Sequence, residues 1–152
     1  MPSKLYGQFL AKALNKEVDW DSDTIKVALL SSSYTPDQDN HAYYDTVTPY
    51  QVTGTGYTTG GATLASKTIT YDGTNNVIVL DAADTTWSSS TITARYAVIY
   101  DDSGATNATK PLIGYVDFGS DQSSTNGNFT ITWDSTGIVL MKLLVLLQIQ
   151  DL

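Results

Sequence analysis

Ile92-Thr93-Ala94-Arg95-Tyr96-Ala97-Val98-Ile99-Tyr100 and Pro111-Leu112-Ile113-Gly114-Tyr115-Val116-Asp117-Phe118 decide the fold class. Both stretches are rich in β-branched and aromatic residues and bounded by turn formers, the pattern of a strand. Between them Asp101 to Lys110 is polar, with Asp and Gly placed as turns use them. The stretch is too short for the crossover that two parallel strands need, and it carries no helical pattern. The pair therefore reads as an antiparallel hairpin with a long tip.

Outward from this hairpin, further strands are expected at Thr24–Leu30, Ala62–Tyr71, Val77–Asp81 and Asn128–Trp133. In the first, Ile25, Val27 and Leu29 alternate onto one face. Asp72-Gly73-Thr74-Asn75-Asn76 is a turn. Residues 82–90 read as a crossover carrying Trp87 as a core anchor, and residues 119–127 as a polar turn. Ahead of the strands, residues 3–15 read as a short amphipathic helix with Ser3 as N-cap. Its apolar series is Leu5, Phe9 and Ala13, with Tyr6, Leu10 and Leu14 alongside. The expected architecture is one mainly β domain over 1–152: helix 3–15, antiparallel β-sandwich 24–140 and apolar tail 141–152. A jelly-roll-like arrangement is the nearest alternative.

Two segments resist this pattern. Residues 31–61 read as a long loop with interleaved tyrosines (Tyr34, Tyr43, Tyr44, Tyr50, Tyr57), apart from a short helical turn around His41–Val47. Loops this long are commonly functional, so this one is the expected contact surface. Residues 141–152, Met-Lys-Leu-Leu-Val-Leu-Leu-Gln-Ile-Gln-Asp-Leu, are apolar on every side. They are too short to cross a membrane as a helix. Apolar surface of this kind needs cover, and another chain is the expected cover.

Composition narrows the function classes. The net charge is -8 and arginine occurs once, which argues against a nucleic-acid backbone or an anionic membrane as partner. Cysteine is absent, which removes disulfides, thiolate nucleophiles and cysteine-based zinc sites. The start, Met1-Pro2-Ser3-Lys4, lacks the apolar core of a secretory signal.

Candidate chemistry is thin. Asp19, Asp21 and Asp23 alternate as in a calcium loop, but Thr24 and Leu30 stand where an EF-hand needs Gly and Glu. A solvated acidic turn accounts for them. Asp37, Asp39, Asn40 and His41 fit ordinary turn chemistry. His41 is the only histidine, and no Gly-x-Ser-x-Gly elbow accompanies it. The glycines from Gly54 to Gly61 lack the Gly-Lys-Ser/Thr ending of a phosphate loop. No enzyme, cofactor or metal is called for.

Several stretches together carry a resemblance. They are Lys4-Leu5-Tyr6-Gly7, Asp19 to Val27, Ser33 to Asp39, Val52-Thr53-Gly54-Thr55-Gly56-Tyr57, Ala94 to Tyr100 and Leu112 to Gly119. As a set, from about Lys4 to Ile138, they resemble a family of small structural proteins of tailed bacteriophages. The resemblance implies a virion protein without catalytic residues, most simply a decoration or cement protein on the capsid surface. Its partners would be the major capsid protein or other virion proteins, together with further copies of itself. A tail or neck component and a virion-surface carbohydrate-binding module are the alternatives. From Met141 onward the chain departs from the family's pattern. The expected contact residues are Leu5, Phe9 and Leu10 of the helix, Tyr43, Tyr44 and Tyr57 of the loop, and Leu143, Leu144, Leu146 and Leu147 of the tail.

Overall fold

The computed structural model describes residues 3–143 and Gln148. Two antiparallel sheets pack into a β-sandwich. The strands are β1 (Lys4–Leu5), β2 (Ile25–Leu30), β3 (Ala62–Thr63), β4 (Thr68–Asp72), β5 (Val77–Asp81), β6 (Thr85–Asp101), β7 (Leu112–Ile131) and β8 (Val139–Lys142). The order is β1-β7-β6-β2-β3 in the five-stranded sheet and β4-β5-β8 in the three-stranded one. One short helix, α1 (Phe9–Leu14), precedes β2.

The hairpin of β6 and β7 is the longest feature, pairing from Tyr100 and Leu112 down to Thr85 and Ile131. It extends well past the two apolar stretches. The expected crossover at 82–90 and polar turn at 119–127 are largely strand. Their Ser and Thr side chains carry no apolar alternation, so hydrophobic periodicity misses them. Cross-strand hydroxyl pairs join them instead: Thr86–Thr130 at 3.0 Å, Ser90–Ser124 at 2.7 Å and Thr93–Ser123 at 2.8 Å.

Two further expectations are corrected. Residues 62–71 are not one strand but two, one in each sheet. Leu64 N–H still donates to Ile25 O at 2.8 Å, then Ser66 turns the chain at φ 53° and it crosses over. The helix does not begin at Ser3. Lys4 and Leu5 pair with Tyr115 and Gly114, and the buried Tyr6 packs on the Tyr115 ring at 5.4 Å. Burial of Tyr6 thus keeps Lys4 and Leu5 in the sheet, and Gly7 and Gln8 then turn the chain into α1.

The large sheet is buried on both faces. On one, Ile25, Val27, Leu29, Ala97, Ile99 and Ile113 face Leu80 and Val139 of the small sheet. On the other, Ala28, Leu30, Val98, Tyr100, Leu112 and Tyr115 are covered by Tyr6, Tyr34, Tyr44 and Val47. A register shift where Ile99 pairs with Gly114 and Tyr100 with Leu112 places Leu112 in one core and Ile113 in the other. The segment 31–61 is therefore a covering layer. Tyr44 stacks flat on Tyr100, with ring centroids 3.8 Å apart and planes 9° from parallel. Val52 N–H donates to Leu29 O, and Ser31 N–H to Tyr50 O.

Glycines make this close cover possible. Gly61 has φ 79°, and a Cβ there would drive into the Val27 carbonyl; Gly54, at φ 156°, would meet the Thr91 carbonyl. At Gly73, on the β4–β5 turn, a Cβ would meet only the Tyr71 ring, at an ordinary contact distance of 3.6 Å. Gly61→Ala should therefore destabilise the protein by about 2 kcal/mol or more, whereas Gly73→Ala stays within about 0.5 kcal/mol. Urea midpoints of the two variants measure the difference.

Candidate functional site

Each expected contact residue has a definite place. Phe9 (3% exposed) and Tyr44 (3%) lie in the chain's own two cores rather than on its surface. Phe9 is buried because α1 turns its Phe9–Ala13 face inward; Tyr44 is buried because its ring covers Tyr100. Leu5 is half-buried against the sandwich core. Leu10 (52%) is exposed, and so is Leu14 (77%) one turn further on. Leu143 (42%) is exposed just after β8. Leu144, Leu146 and Leu147 lie outside the described residues.

The loop tyrosines do structural work. Tyr57 Oη accepts the Leu29 N–H at 3.0 Å and donates to Gln51 Oε1 at 3.1 Å. Gly60 N–H donates to the same Gln51 oxygen at 2.8 Å. Tyr43 is half-buried, with the Lys12 ammonium 3.8 Å from its ring centroid and its hydroxyl donating to Glu17 at 3.2 Å.

Tyr6, Tyr34 and His41 form a hydroxyl–imidazole chain, Oη to Oη at 2.7 Å and Tyr34 Oη to His41 Nδ1 at 2.9 Å. Asp37 N–H also points at Nδ1, at 3.3 Å, so this nitrogen is the acceptor and the ring proton sits on Nε2. Tyr34 then donates to His41, and Tyr6 to Tyr34. Burial pushes the Tyr34 hydroxyl up to about 12 and raises that of Tyr6 as well, so both stay protonated. The histidine acts as a strut for the tyrosine layer.

The acidic residues are engaged in turns and pairs. Asp19 accepts from Asp21 and Ser22 N–H, and Asp37 from Asp39 and Asn40 N–H. Asp102 joins Lys26 at 2.6 Å and Lys110 at 2.7 Å. Burial raises its carboxyl, but Lys110 and Lys26 together reverse this and hold it below the usual range. Arg95 grips Asp117 across the β6–β7 pair with two hydrogen bonds, at 2.7 and 3.3 Å.

Asp101 differs. It is fully buried at the end of β6, accepts from Ser103 through one oxygen, and leaves Oδ2 without a partner. Burial, with the neighbouring Asp23 carboxyl, pushes it up to about 6.

Elsewhere lies a groove of about 930 Å³. It lies along the side of the sandwich where β7 and β8 are the facing strands. The other side is closed by residues 64–68 and by Trp20, whose Nε1–H donates to Thr68 O at 2.9 Å. Along the groove β1 pairs only with Gly114 and Tyr115, and β8 is the outer strand of its sheet. Phe118, Phe129, Ile138 and Val139 supply apolar lining. Trp133 also lines it, and its Nε1–H is buried without an acceptor. The sequence showed the alternation of Phe129, Ile131 and Trp133, but a groove depends on how two sheets meet, which no local pattern records.

Comparison with family models, with curated proteins and with solved structures returns no match to this chain.

Two measurements test these assignments. Tyr57→Phe leaves the Leu29 N–H without its acceptor and should cost about 1–3 kcal/mol in chemical denaturation. Asp101 binds a proton more tightly folded than unfolded, where its value is 3.8. Its contribution is thus fully present below about pH 3.8 and lost as pH rises through about 6. Relative to Asp101→Asn, the natural protein should gain on the order of 2 kcal/mol between neutral pH and about pH 4. Parallel pH-dependent unfolding curves would refute that.

Proposed function

We propose that this chain is a non-enzymatic structural protein of a tailed-bacteriophage virion, a decoration or cement protein on the capsid surface. The observation that carries an assembly role is the exposure of large apolar side chains on α1, on β4 (Ile69 and Tyr71) and at β8. Leu10 and Leu14 stand out from α1, and Leu140 (53%) and Leu143 lie at the outer strand of the small sheet, directly before the apolar segment 144–152. Large apolar side chains paired in this way on a small soluble domain are contacts in wait of a partner. The virion setting is supported by the resemblance of the motif set from Lys4 to Ile138.

The mechanism is mechanical. A protein that binds only the assembled shell stabilises it by the free energy of that binding. The acidic surface suits a partner presenting basic patches, and the rigid sandwich loses little conformational entropy on docking. The carbohydrate alternative loses most of its aromatic platform, because Tyr34, Tyr44, Tyr100 and Tyr115 are buried.

The test is reconstitution. Virion heads prepared without this protein should bind it saturably, at a fixed ratio to capsid subunits, and resist heat better once coated. Leu10→Asp combined with Leu14→Asp should weaken that binding at least tenfold while leaving the fold intact. Location on the tail alone, or absence from purified particles, would overturn the capsid assignment.

A further inference from the structure

We infer that the groove between β7 and β8 receives residues 144–152 of a second copy of this chain, so that the protein self-associates by exchanging its C-terminal segments. The segment is Leu-Val-Leu-Leu-Gln-Ile-Gln-Asp-Leu. It is a strand-length, apolar stretch with β-branched residues, matched to a receptor that presents strand edges and apolar side chains.

Three observations point to the groove as receptor. First, both sheets end there. Beyond Gly114 and Tyr115, the edge of β7 that faces away from β6 has no strand beside it among the described residues, and β8 has a neighbour only in β5. Unpaired edges of this kind accept an added strand. Second, Phe118, Phe129 and Ile138 line the groove and give apolar side chains a surface to bury against. Third, the buried Trp133 Nε1–H has no acceptor. A backbone carbonyl or a glutamine side chain of an inserted segment supplies one.

The direction of the chain favours a second copy over the chain's own tail. β8 runs from Val139 beside the groove to Lys142 beside Val77, and Leu143 N–H then donates to Asn76 O at 2.9 Å. Residues 138–140 line the groove, whereas 141–143 do not. The chain thus leaves at the end away from the groove. Returning to its own groove requires a reversal within Leu143-Leu144-Val145-Leu146, which holds none of the residues that make tight turns. Nine extended residues reach about 30 Å, enough to enter a neighbour without reversing.

This inference deepens the assembly reading, since it uses the same terminal segment, but it requires no capsid and is tested on the isolated protein. The natural chain has no cysteine, so single thiols report cleanly. One preparation carries Asn128→Cys, in the groove, and another carries Gln148→Cys, in the segment. Mixed under mild oxidation, they should give a covalent heterodimer as the main product, at several times the yield of either homodimer. A chain carrying both cysteines should form dimers and larger linked species. If the double variant instead closes on itself as a monomer, or if the mixture gives no heterodimer, the exchange is wrong. A chain ending at Leu143 provides the second measurement: it should keep the sandwich by circular dichroism and lose self-association by light scattering. Unchanged association would overturn the inference. Failure of capsid binding with intact cross-linking would instead refute only the capsid role.

Discussion

The structure depends on burying both faces of one sheet. β2, the upper half of β6 and the start of β7 have apolar side chains on each side, so the sheet needs two layers of cover. The small sheet supplies one. Residues 31–61, with Tyr6, supply the other, through Tyr44 flat on Tyr100 and the Tyr6–Tyr34–His41 chain. Strands buried on both faces are normally covered by helices. Here a tyrosine layer does this, and the hydroxyls it brings in need partners, a need that the buried Tyr44 hydroxyl leaves unmet. Tyr57 meets the need by completing the hydrogen bonding of β2 itself, and Tyr100 by donating to Gly60 O at 2.8 Å.

The sandwich class was legible because the central strands advertise themselves. Residues 92–100 and 111–118 are dense in apolar and β-branched types. Ile25, Val27 and Leu29 alternate as a strand with one buried face should, and the structure shows that Ala28 and Leu30 form a second buried face. What periodicity could not reveal was the length of the β6–β7 hairpin, whose lower half is Ser- and Thr-rich and held by hydroxyl pairs. Nor could it separate 62–63 from 68–72, because both are β-prone and only the left-handed turn at Ser66 sends them to different sheets.

Of the expected contact residues, Leu10 on α1 and Leu143 after β8 are exposed, whereas Phe9 and Tyr44 are buried by tertiary structure. Tyrosine in a loop fits an interface and a covering layer equally well on composition. Glycines at 54 and 61 tilted the balance to the second, since they let the loop backbone press against β6 and β2. The chemistry follows the same division. Several carboxylates, among them Asp19, Asp37, Asp102 and Asp117, cap turns or meet lysine and arginine, and Asp101, the buried carboxyl among the described residues, is closed off from solvent. Among the described residues, the surface carries exposed large apolar side chains on α1, on β4 and at β8, together with the groove between β7 and β8.

Amide hydrogen exchange on the intact protein tests the covering-layer account most directly. If residues 31–61 are part of the core, the amides of Ser31, Tyr34, Val47 and Val52 exchange together with those of β2, at rates set by global unfolding. Exchange of these amides within seconds, while β2 stays protected, would show a loose surface loop and contradict the account.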